Sequence, residues 1–109
     1  MAKKRSTPSK SKLSFETLLQ DQVKSQRPSL FQVVMLNDDY TPVEFVVNLM
    51  EEVFHQSATE AIETTMQIHN IGSAVCGEYV HEIAETKAAE VIEAARTHHY
   101  PLQCILERI

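Results

Sequence analysis

Three polar residues that could hold a cation stand side by side in this chain. Asn37, Asp38 and Asp39 close an apolar run and directly precede a helix start at Thr41-Pro42-Val43-Glu44. Adjacent carboxylates repel each other, so the cluster carries a cost unless a cation or backbone donors offset it. One reading is local: Asn and Asp are common turn residues, and acids near a helix N-terminus are favoured by its dipole. The other is a cage of acceptors for an ammonium group. His69 is the second candidate, on the inward-looking side of a later helix. It is either a satisfied core histidine or a polar group at a pocket mouth.

The signatures of common enzyme sites are missing. The whole chain has two glycines, too few for a phosphate-binding loop, and it shows no nucleophile elbow and no HExxH. A small hydrolase built on Asp38, Asp39 and His69 would need a positioned nucleophile or metal that the sequence does not supply. Cys76, Cys104 and the five histidines form no recognised ligand set, so neither a metal nor a cofactor is expected. His98 and His99 are adjacent and would point apart on a regular element. They fit a helix C-terminus, where protonated histidine is favoured. Two cysteines without a CxxC fit a reducing compartment and buried, inert thiols.

The elements that must position these residues follow from local patterns. Leu30–Leu36 is short, apolar and partly β-branched, which predicts a buried strand. Thr41 as N-cap, Pro42 at the first helical position and Glu44 predict a capping box, followed by Val46, Leu49, Met50, Val53 and Phe54 at helical spacing. Ser57 and Glu60 predict a second capping box, opening a helix with Ala61, Ile62, Met66, Ile68 and His69 and Gly72 as its stop. A strand from Ala74 to Val80 follows. A helix from Glu82 to Arg96 then places Ile83, Ala88, Val91 and Ala95 on one face. His98-His99-Tyr100-Pro101 ends it, and Leu102–Leu106 reads as a last strand. The expected fold is α+β: a small antiparallel sheet with three helices packed on one face, in the order β-α-α-β-α-β.

The chain of 109 residues is expected to divide into a flexible N-terminal extension, 1–28, and one core domain, 29–109. The polar, Ser/Lys-rich residues 1–12 bury too little apolar surface to offset ordering entropy. Residues 13–24, with Leu13, Phe15, Leu18, Leu19 and Val23, read as a weak helical segment that orders on binding. Residues 1–28 carry seven Lys/Arg and two acids, a net of +5, while the remainder carries three and thirteen, a net of −10. Such an acidic core repels nucleic acid and attracts cationic ligands such as a protonated amine. No apolar run approaches the roughly 18 residues of a membrane span. No apolar h-region follows the basic start, and the arm is too short and lacks the amphipathic Arg pattern of an organelle transit peptide. A cytoplasmic location is expected.

At NDDYTPVEFVV (37–47) the sequence resembles the ClpS family, the N-end-rule adaptors of the bacterial ClpA/ClpC unfoldase and ClpP protease. The likeness continues through IHNIG (68–72), AVCGEYVHEIAETK (74–87), AAR (94–96) and PLQCILE (101–107). The resemblance implies an adaptor rather than an enzyme, whose substrates are proteins with Leu, Phe, Tyr or Trp at the first position. It implies that Asn37, Asp38 and His69 hold the α-amine and first peptide unit. Asp39 and Thr41 would line the same mouth, and Val46, Ile68 and Leu102 would wall the side-chain pocket. It further implies that Glu82 and Lys87 contact the N-terminal domain of the unfoldase and that the arm engages the unfoldase pore. Neither nucleic acid nor membrane is an expected partner, and nothing in the sequence demands more than a monomer. Val43 and Thr65 depart from the family pattern, standing where many relatives carry methionine at the pocket rim. The element order also resembles the C-terminal domain of the ribosomal stalk protein, a structural module that would need neither NDDYTP nor His69.

Overall fold

The apolar run Leu30–Leu36 is the central strand, β1, of a three-stranded sheet in the computed structural model, which describes residues 28–109. The basic arm and segment 13–24 lie outside the described residues. After β1 come α1 (Val43–Glu52), α2 (Ala58–Ile71), β2 (Ser73–Val80), α3 (His81–Thr97) and β3 (Gln103–Arg108). This is the β-α-α-β-α-β order expected. Both neighbours pair antiparallel with β1, in the order β2-β1-β3. The register against β2 shifts between Val33 and Val34, so Val33 faces Gly77, Val34 faces Val75, and Cys76 is the extra residue of a bulge.

Alternation along β1 sends Val33 and Met35 inward, where both are fully buried. They meet Ala74 and Cys76 of β2 and Cys104 of β3. Over this face pack Val46, Leu49 and Met50 of α1, Ala61 and Ile68 of α2, and Ala84, Val91 and Ala95 of α3. No helix among the described residues is long and apolar enough to cross a membrane.

The second capping box forms as expected: Ser57 Oγ accepts from the Glu60 N–H and Glu60 Oε1 accepts from the Ser57 N–H, both at 3.1 Å. Gly72 stops α2 at φ 109°, a left-handed conformation that glycine adopts without a Cβ penalty. The first capping box does not form. Here α1 opens at Val43 with Pro42 as an extended N-cap and no side-chain cap. The Thr41 hydroxyl is spent on Asp38 instead.

Three apolar residues of the expected helix faces are largely exposed: Ile62, Met66 and Ile83. Small residues are buried on both helices, Ala61 of α2, which packs on α1 and β2, and Ala84 of α3, which packs on the sheet, both at zero exposure. Packing through them sets the buried stripe of α2 at Ala61, Thr65 and Ile68 and leaves the bulkier side chains on the flanks.

Candidate functional site

Three segment ends converge beyond one end of the sheet. Leu36, the last residue of β1, pairs with Ser73 at the start of β2 and with Gln103 at the start of β3. The Asn37 N–H donates to the Gly72 carbonyl at 2.9 Å, tying the exit of β1 to the end of α2. Leu102, one residue before β3, is therefore held beside the same corner. Between these ends and the start of α1 lies a pit with about 340 Å³ of space, its open mouth included.

The walls are apolar: Leu36, Val43, Val46, Ile68 and Leu102. The helical ones arrive by periodicity, Val43 and Val46 three apart on α1, and Thr65, Ile68 and His69 at i, i+3, i+4 on α2. Thr65 is buried, but its hydroxyl donates to the Ala61 carbonyl at 2.7 Å. The threonine thus adds a satisfied polar group to the wall, not an orphaned one.

The mouth is polar: Asn37, Asp38, Thr41 and His69. Asp38 is the best defined of these. Its Oδ1 accepts from the Tyr40 and Thr41 N–H groups, both at 2.8 Å, and its Oδ2 accepts from the Thr41 hydroxyl at 2.7 Å. An ionised carboxylate offers about four acceptor sites, so one remains, on the Oδ2 side. Both readings of the acidic cluster hold together here: Asp38 folds its own turn and keeps one acceptor at the mouth. His69 is exposed at the rim and is not a core histidine. Its position in the last turn of α2 puts carbonyl dipole ends near the mouth, which favours a cation.

One expected mouth residue is absent. Asp39 is exposed and does not line the pit. The turn that Asp38 closes on Tyr40 and Thr41 leaves the residue between them at its outer tip. Leu36, in contrast, is a wall residue that sequence reasoning missed. The strand pattern marked it as apolar, but only the pairing to Ser73 and Gln103 places it at the corner.

A wider groove lies beyond Leu102, lined by Ile92, Arg96, His99, Tyr100 and Gln103. It holds a guanidinium and no carboxylate, so it does not suit an ammonium group. On α3, Glu82 is exposed in the first turn. Lys87 is partly buried, its Nζ donating to the Val53 carbonyl at 2.7 Å and lying 5.8 Å from the centre of the Tyr79 ring. It is a strut that ties the C-terminal end of α1 to α3. Among the described residues no group of three or more His, Cys, Asp or Glu is placed to hold a metal. Burial, and secondarily the neighbouring Cys104, pushes the Cys76 thiol up to about 12, and burial pushes Cys104 up to about 11. Neither thiol is a nucleophile at neutral pH.

Comparison with known proteins gives this geometry a family. The model of "ATP-dependent Clp protease adaptor protein ClpS" matches residues 26–105. The ATP-dependent Clp protease adapter protein ClpS of Hyphomonas neptunium is 44% identical over 94 residues, covering 86% of this chain and 80% of that protein. That of Caulobacter vibrioides strain NA1000 is 51% identical over 85 residues, 78% of each chain. Among solved structures, Agrobacterium tumefaciens ClpS2 bound to L-phenylalaninamide superposes with a TM-score of 0.74 at 40% identity. It covers 76% of this chain and 100% of that one. The chain belongs to the ClpS family of ATP-dependent Clp protease adaptors.

Proposed function

We propose that the pit binds the first residue of a substrate protein, taking its apolar side chain between the walls and its α-ammonium group at the mouth. The observation that carries this reading is the pairing of an apolar pit with acceptors at its rim, above all the unspent acceptor of Asp38. The ligand named for the Agrobacterium relative, phenylalaninamide, has this chemistry: an aromatic side chain, a free amine and one amide. Asn37 and His69, which line the same mouth, are assigned to the amine and the first peptide unit.

The energetics are sufficient. A free α-amine has a pKa of about 7.7–8.0 and is mostly protonated at neutral pH. Hydrogen bonds to a charged group contribute about 1.5–3 kcal/mol each. Burying a Leu or Phe side chain adds about 1.5–3 kcal/mol. After association costs, an affinity on the order of micromolar follows.

The rim sets selectivity. Val43 is half-exposed at the pit edge. It is shorter than the methionine many relatives carry there, which leaves room for the branch of an Ile side chain. Bound chains are not processed by this protein but passed on in the cytoplasm to the N-terminal domain of a ClpA- or ClpC-type unfoldase. Glu82 forms part of that contact, together with the donors of Lys87 not spent on Val53. The arm enters the unfoldase pore, and the adaptor acts as a monomer.

Fluorescence anisotropy with peptides differing only in a first residue of Leu, Phe, Ile or Gly tests the reading. Leu and Phe are expected to bind at least tenfold more tightly than Gly, with Ile between them and every peptide recovered uncut. Equal binding of Gly and Leu overturns the pit assignment, and undetectable Ile binding beside tight Leu binding overturns the role of Val43.

A further inference from the structure

The sheet has a free edge. β3 is an outer strand, paired only with β1 among the described residues. The Ile109 N–H donates to the Leu30 carbonyl at 3.0 Å, and these two residues continue the register of Phe31 with Arg108. Hydrogen-bonded pairs alternate along an antiparallel ladder. Gln103, Ile105 and Glu107 therefore turn their backbone groups toward β1, while Cys104 and Leu106 turn theirs outward. No described residue meets those outward N–H and carbonyl groups.

The groove beyond Leu102 reaches this edge at Cys104 and has about 860 Å³ of space, its open side included. The chain doubles back after α3 to form it: His99 is left-handed at φ 61°, and the Tyr100 N–H donates to the Ala95 carbonyl at 2.8 Å. Ile92 and Arg96 line the groove from α3. Residues 29–109 carry three Lys/Arg, and two of them are spent within the fold. Lys87 donates to the Val53 carbonyl, and Arg108 donates to the Ser29 hydroxyl, each at 2.7 Å. Arg96 is exposed and forms no ion pair with a described residue. An unspent guanidinium thus stands in a partly apolar groove beside unpaired backbone groups.

We propose that this groove takes an extended segment of a partner protein, which adds to β3 as a further strand and sets a carboxylate against Arg96. The Cys104 side chain lies on the face that α3 covers, its Sγ 3.8 Å from the Ala88 carbonyl. A residue paired with Cys104 puts its own side chain on that same face, toward α3. Ile92 and Arg96 are about one helical turn apart, roughly 6 Å along the axis. Alternate residues of a strand are spaced by about 6.6–6.8 Å. The segment that fits has an Asp or Glu and an apolar residue separated by one position. Main-chain bonds to Cys104 and Leu106 hold such a strand, and its alternate side chains select the sequence. This inference does not depend on what the pit binds.

The test is amide NMR of the full chain with the peptide acetyl-Val-Thr-Glu-Thr-Val-amide, whose blocked N-terminus lacks the amine that the pit is proposed to read. At saturating peptide the Cys104 and Leu106 amides are expected to shift and to exchange with solvent about tenfold more slowly. Ile105, already bonded to β1, is expected to keep its rate. Arg96→Glu replaces attraction by repulsion and is expected to weaken binding about tenfold. A peptide with Lys in place of Glu should restore it, and the affinity for a free-amine Phe peptide should not change. Absent shifts at Cys104 and Leu106, shifts centred on His69, or equal binding of the Glu and Lys peptides to the wild-type chain overturns the proposal. So does slow exchange of Cys104 and Leu106 without peptide. If it grew with protein concentration, the edge would be an interface between copies; if it did not, the chain itself would cover the edge.

Discussion

Asp38 has three of its acceptor sites filled by its own turn, so its charge and its shape can be tested apart. Asp38→Asn keeps an oxygen for the Tyr40 and Thr41 N–H groups and removes the charge. Binding of free-amine peptides should weaken about 10- to 100-fold, the worth of a charged hydrogen bond, with the melting temperature little changed. Isothermal titration and a thermal melt read the two effects. The thiols give a second residue-scale prediction. With Cys76 and Cys104 pushed up to about 12 and about 11, a thiol reagent at pH 8 should label neither in the native protein and both in denaturant. Of the mouth residues, Asn37, Asp38, Thr41 and His69 were legible from sequence. Asp39 was not, because which of two adjacent carboxylates turns inward depends on backbone hydrogen bonds that no spacing reveals. Leu36 was hidden among equally apolar strand neighbours.

Caps and struts decide how firmly the elements hold the pit. Ser57→Ala removes one half of a formed capping box and should cost about 1 kcal/mol in chemical denaturation. Gly72→Ala puts a Cβ on a left-handed residue and should cost about 1–2 kcal/mol. Because the Gly72 carbonyl holds Asn37, peptide affinity should fall as well, an effect absent in Ser57→Ala. A Cβ at Gly77 would lie 2.7 Å from Cε2 and Cζ of the Tyr79 ring, the ring that the Lys87 ammonium overlies. From Leu30 onward element type and order were legible, since each run had a clear period or a cap. The faces of α2 and α3 were less so. Periodicity grouped Ile62 and Met66 with Ala61 and Ile68, and Ile83 with Val91 and Ala95, but α2 packs on α1 and β2 through Ala61 and α3 on the sheet through Ala84, which leaves the bulkier three on the flanks. The start of α1 was misplaced for a related reason. Thr41 has the chemistry of an N-cap, but Asp38 is nearer in the folded turn and takes the hydroxyl.

Across the whole molecule, charge and proton binding set the conditions for function. Both cysteines keep their protons in the folded state above their ordinary value of 9.0, so the folded chain binds more protons than the unfolded one in that range. Stability from this source is complete below about pH 9 and declines as pH rises from about 9 toward 12. Urea midpoints should fall over that window and fall less in Cys76→Ala, whose small loss of packing lowers the midpoint at pH 7 instead. The opposed charges of the arm and the core, +5 and −10 by residue count, were plain from sequence. The central claim is that the pit reads a free, protonated α-amine together with an apolar first side chain. The most direct test is the dissociation constant of one Phe-initiated peptide measured with a free and with an acetylated N-terminus at pH 7. Acetylation removes the charge and its donors, and binding should weaken at least tenfold. Equal affinity for the two peptides would contradict the account.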